Sequence, residues 1–239
     1  MDKKDPFSAI IPAPTAKRPL LGLTVLVIED SRYACEAMRL LCLRSGARIR
    51  RADSLRSARR HLQVYRPTVV IIDIGLPDGS GLDLIRELTS IEPRVDVVLG
   101  TSGDPDGSAQ TLAAGADGFL EKPITSLAGF QQAVLSNLPE DRHPVGLREV
   151  TDEVIEPDIL AFQDDMAHIA NVLENPEDDN VLDYAAQFIS GVARSAQDTS
   201  LAKAAEALAR ARANGTPAHS ETDRLSGLVH QRIAQKVAI

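Results

Sequence analysis

The most constraining feature of the sequence is an alternation of two patterns between residues 24 and 137. Short runs rich in Val, Ile and Leu alternate with longer amphipathic stretches. Buried parallel strands give short apolar runs, and the helices that connect them give amphipathic stretches, so this order is typical of a parallel sheet with crossover helices. We therefore predict a doubly wound α/β domain with five parallel strands.

The predicted strands of this domain are residues 24–28, 48–51, 68–72, 95–100 and 118–120. The predicted helices are residues 31–45, 54–65, 81–90, 105–114 and 126–137. Residues 1–20 are Pro-rich and lack periodicity, so we expect a flexible N-terminal arm there. The α/β domain is then predicted to occupy residues 21–138.

The second half of the chain has only helical patterns. Residues 139–156 combine Pro, His and charged residues and are predicted to form a linker. The amphipathic stretches that follow predict helices at residues 158–173, 177–196, 199–213 and 221–237. Because short connections favour neighbouring helices that run in opposite directions, we predict an antiparallel four-helix bundle over residues 157–239.

Composition narrows the classes of function. Apolar residues make up 44% of the chain and charged residues 25%, as in ordinary globular proteins. Residues 151–239 contain 15 acidic and 7 basic side chains, which accounts for the net charge of -8. An acidic half is unsuited to binding the phosphate backbone of nucleic acid. The sequence shows neither an apolar run that could span a bilayer nor a signal peptide, so we expect a cytoplasmic protein without nucleic acid or membrane partners.

Chemically active side chains follow four of the predicted strands. Glu29 and Asp30 come after the first strand, Asp73 after the third, Thr101 after the fourth and Lys122 after the fifth. Ligands of open parallel sheets gather at the carboxyl ends of the strands, where these side chains should meet. Three carboxylates repel one another unless a cation lies among them, and oxygen ligands suit Mg²⁺. A Lys ammonium and a Thr hydroxyl could neutralise a phosphoryl group.

Four segments that carry these residues resemble the receiver domain of CheY-like bacterial two-component response regulators. The segments are VLVIED at residues 25–30, VVIIDIGLPDGSGL at 69–82, VVLGTS at 97–102 and FLEKP at 119–123. The resemblance covers about residues 22–138. It implies that the doubly wound domain has the flavodoxin/CheY-like fold.

The resemblance also implies a role for individual residues. Asp73 would attack a phosphoryl group and become an acyl phosphate, while Lys122 would pair with the phosphoryl oxygens. Thr101 would move to hydrogen-bond the phosphoryl group, and Phe119 would rotate inward behind it. The bond between Lys122 and Pro123 is often cis in this family.

The same resemblance implies a Mg²⁺ site and an open rim. Asp30, Asp73 and the backbone carbonyl of Gly75 would bind the ion directly, and Glu29 would act mainly through a bound water. Gly75 and Gly103 provide no side chains at two rim positions. Water or a partner could therefore approach the acyl phosphate easily.

The second helical stretch resembles the histidine phosphotransfer (Hpt) domain, whose pattern is His-x-Leu-Lys-Gly. This chain has Gln187 at the His position, Ile189 at the Leu, Ser190 at the Lys and Gly191 at the Gly. A glutamine amide nitrogen has no basic lone pair, so this site should not carry a phosphoryl group. A generic Ala-rich bundle with a fortuitous glycine remains the alternative.

A docking face is predicted on the solvated side of the same helix. The residues of this face lie on the side of the helix opposite to the apolar residues that should face the core. They are Asp183, Gln187, Ser190, Gly191 and Arg194. A mid-helix glycine costs about 1 kcal/mol relative to alanine, which suggests that something approaches Gly191 closely.

We therefore expect a response regulator that is not otherwise an enzyme and that signals through protein–protein contacts of its helical half. Its phosphodonor would be a sensor histidine kinase or an Hpt protein, and its output partner could be another protein or a second copy of the chain. A DNA-binding transcriptional regulator is the first alternative. The second is a phosphatase or phosphorelay modulator that acts through the helical domain, for which Asp183 and Gln187 are the candidate acid and amide.

Overall fold

The computed structural model describes residues 12–146, 150–151, 153–174 and 179–235. Its strands are β1 (Thr24–Ile28), β2 (Arg48–Ala52), β3 (Val69–Asp73), β4 (Gly75–Leu76), β5 (Gly79–Ser80), β6 (Val97–Ser102) and β7 (Gly118–Glu121). Its α-helices are α1 (Arg32–Ser45), α2 (Leu55–Val64), α3 (Gly81–Ser90), α4 (Gly107–Ala113), α5 (Leu127–Leu135), α6 (Ile159–Glu174), α7 (Asp179–Ser195), α8 (Thr199–Ala213) and α9 (His219–Ala234). The predicted limits at residues 177 and 237 lie outside the described residues.

The strands of the first half form one parallel sheet. Within the described residues the sheet has five strands in the order β2-β1-β3-β6-β7. This confirms the predicted doubly wound α/β fold. The short antiparallel pair β4 and β5 was not predicted, because two-residue strands are too short to show a periodic pattern.

Alternate residues of the central strands pack on opposite faces of the sheet, as the two-residue period of a strand requires. Val25 and Ile71 belong to the core on the face covered by α1 and α5, where Met38 and Phe130 also pack. Leu26, Ile72, Leu55 and Ile85 belong to the core on the other face, under α2 and α3. Because both faces are covered, β3 is buried along its whole length.

The α/β domain extends beyond the limits that the sequence predicts. Leu20 was assigned to the flexible arm, but it is fully buried in the core, and its amide donates to the Ser45 carbonyl. Ile155 was assigned to the linker, but it is also buried in this core, and its amide donates to Thr125. Apolar residues isolated among Pro and charge give no periodic signal, which is why both were missed.

The second half is all helical in the residues described, as predicted. Helix α6 packs against α7 and α9, and α8 packs against the same two helices. Their shared core includes Met166, Ile189, Leu208 and Leu225. We refer to α6–α9 as the helical domain. No helix among the described residues combines the length and apolarity that a membrane span requires.

The helical domain is attached to the α/β domain at the first turn of α1. The buried Asp165 of α6 accepts hydrogen bonds from Ser31 Oγ at 2.7 Å, Arg32 N at 2.8 Å and Tyr33 N at 3.1 Å. A carboxylate at a helix N-terminus accepts hydrogen bonds from the first backbone amides, and its negative charge interacts favourably with the positive end of the helix dipole. The Tyr33 ring also packs edge-on against Phe162 with centroids 5.8 Å apart.

We predict that Asp165→Asn lowers the free energy of unfolding by about 1 to 2 kcal/mol, because an amide cannot accept all three bonds or match the helix dipole. Amide exchange at Arg32 and Tyr33 should become faster. Asp164→Asn is the matched control, since Asp164 pairs with Arg32 in an exposed ion pair that contributes less than about 1 kcal/mol. Urea unfolding and hydrogen exchange measure both effects. Equal losses in the two variants would contradict the capping role.

Candidate functional site

The predicted site residues converge at the carboxyl edge of the sheet. Glu29 follows β1, Asp73 ends β3, Thr101 lies in β6, and Lys122 follows β7. All four are buried. The parallel strands bring their carboxyl ends to one edge, which places these side chains together although they are distant in sequence.

Lys122 is shared between two carboxylates. Its Nζ lies 2.7 Å from Glu29 Oε2 and 3.2 Å from Asp73 Oδ2. Burial alone would lower the pKa of Lys122, but Asp73 and Glu29 outweigh burial and hold that pKa above its usual range. The ammonium group therefore stays charged beside the candidate phosphoryl acceptor.

One ammonium cannot neutralise the three acids of this site. Glu29, Asp30 and Asp73 each offer a carboxylate oxygen, and these oxygens lie within 4.8 Å of one another. Burial is the main cause that raises the pKa of Glu29 to about 8 and of Asp30 to about 7, and the charge on Asp73 raises both further. Burial also raises the pKa of Asp73. Such a cluster fits a hard divalent cation, which would stabilise all three charged forms.

Backbone geometry holds Asp73 in place. The backbone amides of Gly75 and Ile74 beside its carboxylate partly offset the burial that raises the pKa of Asp73. Gly81 lies so close to the Asp73 carbonyl that any β-carbon at residue 81 would overlap it. Gly81 is therefore needed where α3 begins, although the sequence pattern alone assigned it only to a helix start.

The two predicted switch residues lie beside the site and not on Asp73. Thr101 Oγ1 donates to the Leu120 carbonyl at 2.8 Å. Phe119 is half-buried, and its ring lies near Gly107 at the start of α4. The Lys122–Pro123 peptide bond is cis, as expected.

Helix α7 covers the open rim of the site. The Gln187 amide lies against Gly75, and any side chain at residue 75 would overlap it. The Arg194 guanidinium donates to the Gly103 carbonyl and pairs with Glu206 at 2.8 Å. Side chains of the same chain therefore lie close to both rim glycines, Gln187 to Gly75 and Arg194 to Gly103.

Tyr184 was not among the predicted site residues. Its hydroxyl donates to Asp30 Oδ2 at 2.8 Å, which joins α7 to the acidic cluster. Burial, followed by the nearby charge of Asp30, raises the pKa of Tyr184 above its usual range. Tyr184 lies on the same helical stripe as Gln187 and Gly191, so the spacing of three and four residues could have identified it.

A cavity of about 320 Å³ separates α7 from the acidic cluster. Asp183, Ser190 and Gly191 line it together with Asp73 and Lys122. No atom of the described residues lies within 4 Å of a β-carbon built at Gly191, so the predicted close approach is not made within the chain and stays a prediction for a partner. Gly191 instead leaves space above the acids.

Asp183 contributes little to the contact between the domains. Its carboxylate pairs with Arg212 of α8 at 2.8 Å, and about half of its side chain is exposed. Of the predicted docking face, Gln187 and Arg194 contact the α/β domain directly. Ser190 and Gly191 face it across the cavity.

Comparisons with known proteins agree with this geometry. The family model described as response regulator receiver domain matches residues 25–133. The chain is 31% identical over 100 residues to the KDP operon transcriptional regulatory protein KdpE of Escherichia coli, which covers 42% of this chain and 44% of KdpE. It is 29% identical over 156 residues to the virulence transcriptional regulatory protein PhoP of Salmonella typhimurium, which covers 59% of this chain and 69% of PhoP.

Among solved structures, a CheY-like response regulator receiver domain from Methylobacillus flagellatus aligns with a TM-score of 0.44 at 26% identity. This alignment covers 48% of the present chain and 98% of that domain. The chain spans less than half of the length of KdpE, and the family model ends before the helical domain. Residues 25–133 of this chain thus match the response regulator receiver domain family, and the helical domain lies outside that match.

Proposed function

We propose that the chain is a two-component response regulator that accepts a phosphoryl group on Asp73 and signals by releasing its helical domain. The observation that carries this proposal is the buried ion pair of Asp73 and Lys122, which lies beside further acidic residues and faces α7 across a cavity. The site can hold a phosphoryl group, and the element above it belongs to a separate domain. We expect this phosphoryl transfer to take place in the cytoplasm.

The proposed transfer needs an acceptor oxygen and a fixed positive charge. An Asp73 carboxylate oxygen attacks the phosphorus of a phosphohistidine on a sensor histidine kinase or an Hpt protein. The phosphorus–nitrogen bond breaks, its electron pair returns to the imidazole, and an acyl phosphate forms on Asp73. Lys122 remains beside the acceptor and neutralises the phosphoryl oxygens. Thr101 turns from the Leu120 carbonyl to the phosphoryl group, and Phe119 fills the space behind it.

The acidic cluster fits Mg²⁺ as the cofactor of this transfer. Asp30, Asp73 and the Gly75 carbonyl would hold the ion, with Glu29 acting through water. When bound, Mg²⁺ neutralises the carboxylates and the incoming phosphoryl charge. Because Asp30 also accepts the Tyr184 hydrogen bond, metal binding at Asp30 competes with one of the contacts that hold α7.

Docked α7 and a phosphodonor exclude each other. A donor histidine must reach Asp73 through the rim at Gly75 and Gly103, which Gln187 and Arg194 cover. The receiver is therefore phosphorylated by a macromolecular donor when the helical domain is undocked, whereas a small phosphodonor can enter the cavity. Phosphorylation then shifts the existing equilibrium between docked and undocked forms.

The released helical domain presents the α7 face to a protein partner. We infer that this domain is an Hpt-like fold without phosphotransfer activity, because Gln187 stands where the transferring histidine would be. Its docking on the receiver site from the same chain supports this inference. Apart from its own phosphorylation and dephosphorylation, the chain then needs no enzymatic activity.

A transcriptional output is the alternative that the names of KdpE and PhoP suggest. The similarity to KdpE involves 42% of this chain, and residues 151–239 carry 15 acidic against 7 basic side chains. We therefore expect no mobility shift of random duplex DNA by the full chain, with or without phosphodonor. A shift that weakens steeply with salt would favour the transcriptional alternative.

The acceptor assignment predicts that a small phosphodonor and Mg²⁺ add one phosphoryl group to the full chain, and that Asp73→Asn abolishes the addition. Intact mass spectrometry at neutral pH measures the product. Asp83→Asn is the matched control, because Asp83 pairs with Arg86 on the exposed face of α3. Labelling of Asp73→Asn to the level of the Asp83→Asn control would refute the assignment.

The metal assignment predicts opposite effects of two substitutions on Mg²⁺ affinity. Asp30→Asn should weaken binding at least about tenfold, since a charged ligand is lost. Tyr184→Phe should tighten binding about two- to tenfold, because Mg²⁺ no longer competes with a hydrogen bond worth about 0.5 to 1.5 kcal/mol. Calorimetric titration measures both, with Tyr65→Phe, immediately after α2, as the control. Unchanged affinity in both variants would show that other residues bind the ion.

A further inference from the structure

Two rim positions of the receiver lack side chains, and one helix of the other domain supplies groups to both. The Gln187 amide fills the space at Gly75, and Arg194 Cδ lies 3.5 Å from the position of a β-carbon at Gly103. About two helical turns separate Gln187 from Arg194, so both project from one face of α7. The rim of the acceptor site is therefore completed from the helical domain.

The two groups supplied by α7 differ in what they can still bind. Arg194 is engaged by the Gly103 carbonyl and by Glu206, so it anchors the helix over the rim. The Gln187 amide has no hydrogen-bonding partner in the part of the chain that the structure describes, and it borders the cavity above Asp73. An amide can accept a hydrogen bond from water through its oxygen and donate one to an anion through its nitrogen.

The cavity has room for the reactants of a hydrolysis. Its volume is about 320 Å³, whereas a water molecule needs only about 10 to 15 Å³ of such space. A phosphoryl group on Asp73 and several water molecules therefore fit beneath α7. The open space above Gly191 lies on the same side of the helix.

We propose that α7 is an intramolecular phosphatase element in which Gln187 positions the water that hydrolyses the acyl phosphate of Asp73. This inference rests on the proposed phosphorylation of Asp73. The water oxygen attacks phosphorus, and the bond between phosphorus and the Asp73 oxygen breaks. The Asp73 carboxylate is regenerated, both water protons leave with inorganic phosphate, and Lys122 pairs with the carboxylate that departs.

Gln187 suits this role for a chemical reason. Orienting the attacking water and stabilising charge on the phosphoryl oxygens are the main demands of phosphoryl transfer, and a glutamine amide is one of the groups that orient water in such sites. A histidine at the same position would instead accept the phosphoryl group. Asp183, the acid considered beside Gln187, is paired with Arg212 and is not needed for the step.

The contact between the two domains would then have two functions, one after the other. Phosphorylation favours release of the helical domain, and each return of α7 to the rim brings Gln187 to the acyl phosphate. The lifetime of the signal then depends on how often the domains dock. Arg194 is a positioning residue in this scheme, because it touches Gly103 and Glu206 but not the acceptor.

The test is the lifetime of phosphorylated full chain after a small phosphodonor has been removed by desalting in the presence of Mg²⁺. Gln187→Leu keeps most of the volume of the side chain and removes the amide. We expect its acyl phosphate to persist about tenfold longer or more, since hydrogen bonds to charged groups contribute about 1.5 to 3 kcal/mol. Gln231→Leu on the exposed side of α9 is the matched control and should keep the wild-type lifetime.

A second set of measurements separates chemistry from docking. In water enriched in oxygen-18, the label should appear in inorganic phosphate and not in Asp73. Arg194→Ala should lengthen the lifetime of the acyl phosphate by releasing α7, and faster amide exchange in the β3–β4 region should accompany that effect. Gln187→Leu should lengthen the lifetime while amide exchange in this region stays unchanged, because α7 remains docked. Gln187→Asn, which retains the amide on a shorter chain, should recover part of the rate.

Each outcome decides the proposal. An unchanged or shorter lifetime in Gln187→Leu would overturn the phosphatase role, and a shorter lifetime would show that α7 shields the acyl phosphate from water. A longer lifetime that is accompanied by release of α7 would also overturn it, because Gln187 would then be a docking residue. Failure of the wild-type chain to take phosphate at Asp73 would instead overturn the proposed function itself.

Discussion

Two buried carboxylates, Glu29 and Asp73, share the Lys122 ammonium, and the half-buried Asp30 adds a third acid beside them. Glu29, Asp30 and Asp73 meet because the parallel sheet aligns the ends of β1 and β3, and Lys122 arrives from β7. Burial raises the pKa values of all three acids, and the charge of Asp73 raises those of Glu29 and Asp30 further. The site therefore favours any group that offers positive charge or donates a hydrogen bond. The Tyr184 hydroxyl meets this demand at Asp30 by donating a hydrogen bond, and a bound cation would meet it by its charge.

The contact between the domains combines hydrogen bonds with the ring contact of Tyr33 with Phe162. Tyr184, Arg194 and Asp165 contribute hydrogen bonds to the α/β domain, and a cavity separates the remaining surfaces of α7 and the acids. Contacts of this kind contribute about 1 kcal/mol each, unlike the continuous apolar core within each domain. On the proposed function, a change of charge at Asp73 or Asp30 would involve a similar free energy and would shift the equilibrium between the docked and undocked helical domain.

The sequence predicted those parts of the structure that depend on local periodicity. The five strands, the crossover helices and the convergence of Asp73 with Lys122 follow from short-range patterns and from the geometry of a parallel sheet. The core arc of α7 was also predicted, and Ala185, Phe188 and Ile189 are buried on it. The roles assigned to Thr101 and Phe119 remain predictions.

Other features depend on contacts between segments distant in the chain, which no local pattern encodes. Asp165 looks like an ordinary helix acid until α6 is placed at the start of α1, and Leu20 looks like part of an arm until it meets the core. Tyr184 shares a stripe with Gln187, but its bond to Asp30 spans 154 residues. At Gly191 the described residues leave a cavity and provide no close neighbour, which a periodic pattern could not indicate.

We expect α7 to lie over the acidic cluster of its own chain in solution. A nitroxide spin label on Asp183→Cys tests it, because this exposed position borders the cavity and leaves Tyr184, Gln187 and Arg194 intact. The native cysteines are buried, and labelling at residue 183 is checked by mass. We predict that the amide NMR signals of Gly75 and Gly103 broaden to an extent that is independent of protein concentration. When spin-labelled chains are mixed with chains that carry no spin label, the signals of the latter should not broaden. Unbroadened signals at both glycines would contradict the account.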